Sequence, residues 1–185
     1  MSFCDRCGNE NTKIALSGKT EQAVLCTNCF NEMIASEIGV TVETYPEAIS
    51  IKDGGGNIRT FAIDKIFMPT GISMEAVENK MDGYKFSVLG EFDCNQRMLF
   101  KKLVKKVKDG VANTYLEEEK ISGHRFLTMV GDRVIGRIEY NEESDTPLLN
   151  IDGRPYTWEE IGKMMMSKEG FQFRLDIVDI TDEFE

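Results

Sequence analysis

Cys4-Asp5-Arg6-Cys7 and Cys26-Thr27-Asn28-Cys29 are two CxxC pairs separated by eighteen residues, and their reading decides the N-terminal fold. Two residues between paired cysteines let one tight turn present both sulfurs to a single ion, and Zn²⁺ takes four thiolates in a tetrahedron. Cys4, Cys7, Cys26 and Cys29 are therefore the expected ligands of one structural zinc. Four protein ligands leave no position open for substrate, so such a site orders a fold and performs no chemistry on a bound molecule.

The residues around the pairs fit a small module. Gly8 follows the first pair, where a knuckle turn favours positive φ. Ile14 and Leu16 alternate, Ser17-Gly18-Lys19-Thr20 reads as a turn, and Gln22–Leu25 leads into Cys26, which together predict a hairpin. Phe30, Met33, Ile34 and Ile38 recur at helical spacing, with Gly39 as the stop. Cys29 then falls in the first helical turn, where free N–H groups favour thiolate. Over residues 1–40, the knuckle, hairpin and helix resemble the treble-clef or zinc-ribbon-like Cys4 modules of bacterial regulators and adaptors. The competing reading is a redox-sensitive thiol site, although a single redox CxxC normally follows a strand of a thioredoxin-like unit.

Bulk properties narrow the function classes. The chain has 185 residues, 41% apolar content and a net charge of −10. It is long enough for a small module (1–40) and one medium α+β domain (41–185). No apolar run reaches the ~18 residues of a membrane span. Because the chain begins Met1-Ser2-Phe3-Cys4, without leader character, a cytoplasmic location is expected. Net charge is −2 over 1–40, −3 over 41–100, +3 over 101–140 and −8 over 141–185. Nucleic-acid binding is thereby confined to one patch.

Residues 41–185 read as a mainly antiparallel sheet with two helices. Ala48–Ile51 and Ile58–Ile63 flank Asp53-Gly54-Gly55-Gly56-Asn57, a hairpin turn and not a phosphate cradle, since no helix and no GK[ST] follows. Tyr84, Phe86 and Val88 alternate on one strand face. Phe100, Leu103, Val104, Val107, Val111 and Tyr115 predict a helix over 96–118, capped by Asp93 or Asn95. Strands follow at Arg125–Val130 and Arg133–Tyr140, joined at Gly131-Asp132. A capping box at Thr157/Glu160 opens the second helix, and Phe171, Phe173, Leu175 and Ile177 predict a final strand with those residues inward.

Three function classes are compatible with these residues. The favoured one is a non-enzymatic adaptor or regulatory protein whose zinc module stiffens a contact surface for another protein, with Tyr156 and Trp158 among the exposed candidates. A nucleic-acid binder would use the module with the lysine face Lys101, Lys102, Lys105, Lys106 and Lys108. That face carries no interleaved aromatics to stack bases and reads first as the solvated side of an amphipathic helix. An enzyme would need Cys94 or His124, the only histidine, beside an acid in a cleft. No residue in the chain is singled out as catalytic by its pattern.

Overall fold

The computed structural model describes residues 3–10, 12–17, 22–121 and 123–183 and is α+β, with antiparallel strands throughout. The N-terminal part consists of β1 (Ile14–Ser17), β2 (Gln22–Leu25) and α1 (Thr27–Ile38). The hairpin is present in the register Ile14↔Leu25. Residues 18–21, where its turn is expected, lie outside the described residues. Gly39 ends α1 at φ 72°, donating its N–H to Ala35 O, as its position in the sequence predicts.

The centre of the chain is a sheet ordered β3 (Ala48–Lys52), β4 (Ile58–Met68), β5 (Gly71–Glu78), β6 (Lys85–Gly90), crossed by α2 (Gln96–Ala112). Alternation along the strands sends Phe61, Phe67, Ile72, Met74, Ala76 and Val88 to one face. Leu99, Leu103, Val107 and Val111, four residues apart on α2, meet them there in a core that excludes water. Gly110, unfavourable inside a helix, is explained by the same packing: a Cβ there would lie 2.3 Å from the Phe86 ring.

The helix ends six residues before the expected 118. Its apolar spacing continues to Tyr115, but Gly54 in the β3–β4 turn donates its N–H to Val111 O at 2.9 Å and closes the helix from outside its own sequence. A Cβ on Gly54 would lie 2.0 Å from Ala112 O. Gly54→Ala is therefore expected to cost about 1–3 kcal/mol, because helix end and turn must separate. Gly55→Ala, whose nearest neighbour is an Asn57 side-chain nitrogen at 3.3 Å, should leave the denaturation midpoint close to wild type.

Beyond α2, β7 (Leu116–Ile121) pairs with β8 (His124–Met129), while β9 (Gly136–Glu139), β10 (Leu148–Ile151) and β11 (Arg154–Tyr156) form a separate sheet ordered β11-β10-β9. The hairpin expected at Gly131-Asp132 is thus replaced. β8 turns back on β7, whose first residues fell inside the expected 96–118 helix, and β9 pairs with β10 across the 140–147 loop. α3 (Trp158–Met165) starts with the expected capping box, Glu160 N–H to Thr157 Oγ1 at 3.2 Å and Thr157 N–H to Glu160 Oε2 at 2.8 Å. A 3-10 turn follows at Met166–Lys168. Leu116, Ile151, Ile161 and Met164 form a buried cluster separate from the central core. Arg137, which also pairs with Glu139, donates to Lys85 O and Gly83 O and ties the last sheet to the central one.

Among the described residues, the final strand expected from Phe171 to Ile177 is paired in no sheet, and its apolar residues are exposed, not inward. Period-two alternation marks residues that can share one face of a strand; it carries no information on whether a neighbouring edge is available. Downstream, Lys106 Nζ donates to Ile180 O at 2.7 Å, to Asp182 O at 2.6 Å and to Ser87 O at 3.2 Å, which anchors the end of this segment beside β6.

One buried cation sits at the junction of α1's continuation with the sheet. Lys65 is only 7% exposed, and its Nζ donates to Glu43 O and Gln96 Oε1 and lies 4.6 Å from the Tyr45 ring centre. Burial lowers its pKa from 10.5 to about 8, against the pull of Glu43. The unfolded chain then holds more protons than the folded one between those values, so stability rises with pH through that window. Relative to Lys65→Met, the wild type is expected to gain stability between pH 8 and 10 in parallel denaturant titrations. Parallel curves over that range would remove Lys65 as the cause.

Candidate metal centre

Backbone geometry builds the first pair. Gly8, at φ 74°, donates its N–H to Cys4 O at 2.8 Å, and Cys4 N–H reaches Asn9 O at 2.8 Å, closing the knuckle. Asp5 fastens this knuckle to β2: its N–H donates to Val24 O at 2.9 Å and its carboxylate accepts from Val24 N–H at 2.7 Å. The second pair starts α1, with Cys26 at the N-cap and Cys29 in the first turn. The positive end of that helix therefore faces the sulfurs.

All four sulfurs lie within 4.8 Å of one another, and Cys7 Sγ is 3.7 Å from Cys26 Sγ. A tetrahedron with bonds of ~2.3 Å has edges of ~3.8 Å, so this spacing suits four thiolates around one ion. Cys4, Cys26 and Cys29 are buried and Cys7 is exposed. Backbone hydrogen bonding, chiefly from Cys26, lowers the Cys4 thiol to about 6, while burial and the adjacent thiols push Cys29 up. A divalent cation at the centre favours the charged form of all four. Arg6 stands beside them, donating to Cys29 O at 3.1 Å and lying 3.6 Å from Glu32, which places positive charge next to the anionic cluster. The donor set and spacing fit a tetrathiolate ion with every coordination position filled by protein.

The cysteine module is joined to the central sheet through Asn31, a residue the sequence reading passed over. β3 pairs with β4 from Ile58 to Ala62, and Ile63 N–H donates to Glu47 O just beyond, which leaves the rest of that edge without a strand neighbour among the described residues. Asn31, 2% exposed, covers it. Its Nδ2 donates to Lys65 O at 2.7 Å and its Oδ1 accepts from Phe67 N–H at 3.0 Å, the two bonds a neighbouring strand would make. Ala35, one turn further along α1, enters the central core. A sequence signal existed: Asn31, Ile34, Ala35 and Ile38 form a stripe at helical spacing, and Asn31 is the polar position within it. Lys13 adds an ion pair to Asp64 at 2.6 Å.

Three family models match consecutive stretches of the chain, each described as a domain of unknown function: DUF7685 over residues 3–41, DUF7686 over 43–112 and DUF7713 over 115–182. No curated protein and no solved structure matches the chain. The breaks at 41–43 and 112–115 fall just after α1 and just after α2.

The other residues singled out from the sequence lie apart from the cluster. Cys94, in the β6–α2 connection, is half-buried; burial raises its pKa, the reverse of what an activated nucleophile requires. It lines neither of two cavities, of about 330 and 600 Å³. His124 opens β8 opposite Ile121, on a different sheet. In the smaller cavity the conspicuous cation is already paired, with Arg59 2.8 Å from both Asp53 and Glu78. On the lysine face of α2, Lys106 is held by three carbonyls and Lys105 by Asp109 at 2.6 Å. Tyr156 is half-buried in β11, and Trp158 remains 43% exposed at the start of α3. Among the described residues, no helix is long and apolar enough to cross a membrane.

Proposed function

We infer that this protein is a zinc-stabilised, non-enzymatic adaptor or regulatory protein, in which one zinc held by Cys4, Cys7, Cys26 and Cys29 fixes a treble-clef-like module to the central sheet and so stiffens a surface for a partner protein. The observation that carries this reading is the closed four-sulfur cluster, continuous through Asn31 with the bare edge of β4. A filled tetrahedron supplies order and not reactivity. Cys94, outside both cavities with its pKa raised by burial, adds support for a non-enzymatic role.

Zinc as the occupant follows from the ligand set: soft thiolates in a tetrahedral array select it over oxygen-seeking cations such as Mg²⁺ and Ca²⁺. Hydrogen exchange before and after chelation tests the coupling. Removing the metal is expected to abolish protection across α1 and at the Asn31-covered half of β4, while residues 116–165 keep theirs. Loss confined to residues 3–10 would show that the metal orders only its own knuckle and would contradict the reading.

A further inference from the structure

Residues 171–178 belong to no helix or sheet among the described residues. Phe171, Phe173, Leu175 and Ile177 are 76, 79, 66 and 69% exposed, in unbroken alternation. Among the described residues, no backbone–backbone hydrogen bond reaches residues 172–178. The segment lies within the domain matched over 115–182. It is also held at both ends: Phe171 N–H bonds Lys168 O at 3.0 Å, and Lys106 grips Ile180 O and Asp182 O. A segment tethered at both ends in this way has already lost part of the conformational freedom that pairing would remove.

Gln172, Arg174 and Asp176 occupy the opposite side, where Arg174 and Asp176 sit 2.9 Å apart. That order of charges is self-complementary. When two copies run antiparallel with Leu175 facing Leu175, Phe173 lies opposite Ile177, and Arg174 of each copy lies opposite Asp176 of the other. The adjacent registers that keep the apolar residues on one face set Arg174 against Arg174 or Asp176 against Asp176, and like charges directly opposite destabilise a pair. A two-fold axis through Leu175 gives an isologous contact that closes on itself.

We propose that residues 171–178 form the self-association surface of this protein, pairing antiparallel with the same segment of a second copy in the register centred on Leu175. A two-stranded ribbon is a small contact, so the association is weak and concentration-dependent. This pairing involves the end of the chain remote in sequence from the cysteines and does not depend on which metal they hold.

Sedimentation velocity of the zinc-loaded full chain over a concentration series tests it. Arg174 and Asp176 side chains are 86 and 49% exposed, so their substitutions leave the fold intact, as circular dichroism will verify. Wild type is expected to dimerise. Arg174→Asp alone and Asp176→Arg alone each set like charges opposite one another and should weaken self-association about tenfold or more. An equimolar mixture of the two variants restores both charge pairs and should dimerise like wild type. A wild type that stays monomeric throughout the series, single variants that dimerise unchanged, or a mixture that fails to recover would each overturn the pairing.

Discussion

Cys29→Ser is expected to unfold the N-terminal module and to lower the stability of the central unit by about 3–5 kcal/mol. The first effect follows because binding energy at a structural zinc site is folding energy: without the fourth thiolate, the knuckle, hairpin and helix lose the ion that joins them. The second follows from Asn31 and Ala35. When α1 melts, Lys65 O and Phe67 N–H lose their partners, each costing about 1–3 kcal/mol if left unsatisfied, and the core loses part of its wall. Denaturant unfolding monitored by far-UV circular dichroism, with zinc measured on the same samples, checks both. Wild-type zinc content and an unchanged midpoint would remove Cys29 from the ligand set.

Asn31→Leu separates the metal from its attachment. Leucine fills a similar volume but offers neither donor nor acceptor to β4, so a loss of about 2–5 kcal/mol is expected with zinc still bound at one per chain. Asn31→Asp keeps the acceptor for Phe67 N–H and sets a carboxylate against Lys65 O, and it should be no better than leucine. The diagnostic readout is the Phe67 amide, which should exchange rapidly in both variants while the Cys26–Cys29 turn stays protected. A change below about 0.5 kcal/mol would mean that the bare edge of β4 does not need α1.

What the sequence made legible was local. The two CxxC pairs, Gly8, Gly39, the Asp53–Asn57 turn and the Thr157/Glu160 box each act within a few residues, and each appears where it was expected. The lost features depend on distant partners. Tyr115 extends α2's stripe in the sequence, yet Gly54, more than fifty residues away, stops the helix at Ala112. Gly131-Asp132 has hairpin composition, but β8 takes β7 as its neighbour, and Val130 N–H bonds Tyr115 O. The Phe171–Ile177 alternation was read with its apolar residues inward because alternation implies a buried side; no strand among the described residues provides one. Within the candidate site, the four cysteines that cluster could be picked out from spacing alone, whereas Asn31 acquires its role only once the half of β4 beyond β3 is known to lie beside α1.

Native mass spectrometry of the full chain, purified without chelator or added metal, tests the central claim most directly. One zinc per chain, released by a chelator together with the helical signal of α1, is the predicted result. A metal-free chain with Cys4, Cys7, Cys26 and Cys29 oxidised in two pairs would contradict it and make the cluster a redox thiol site.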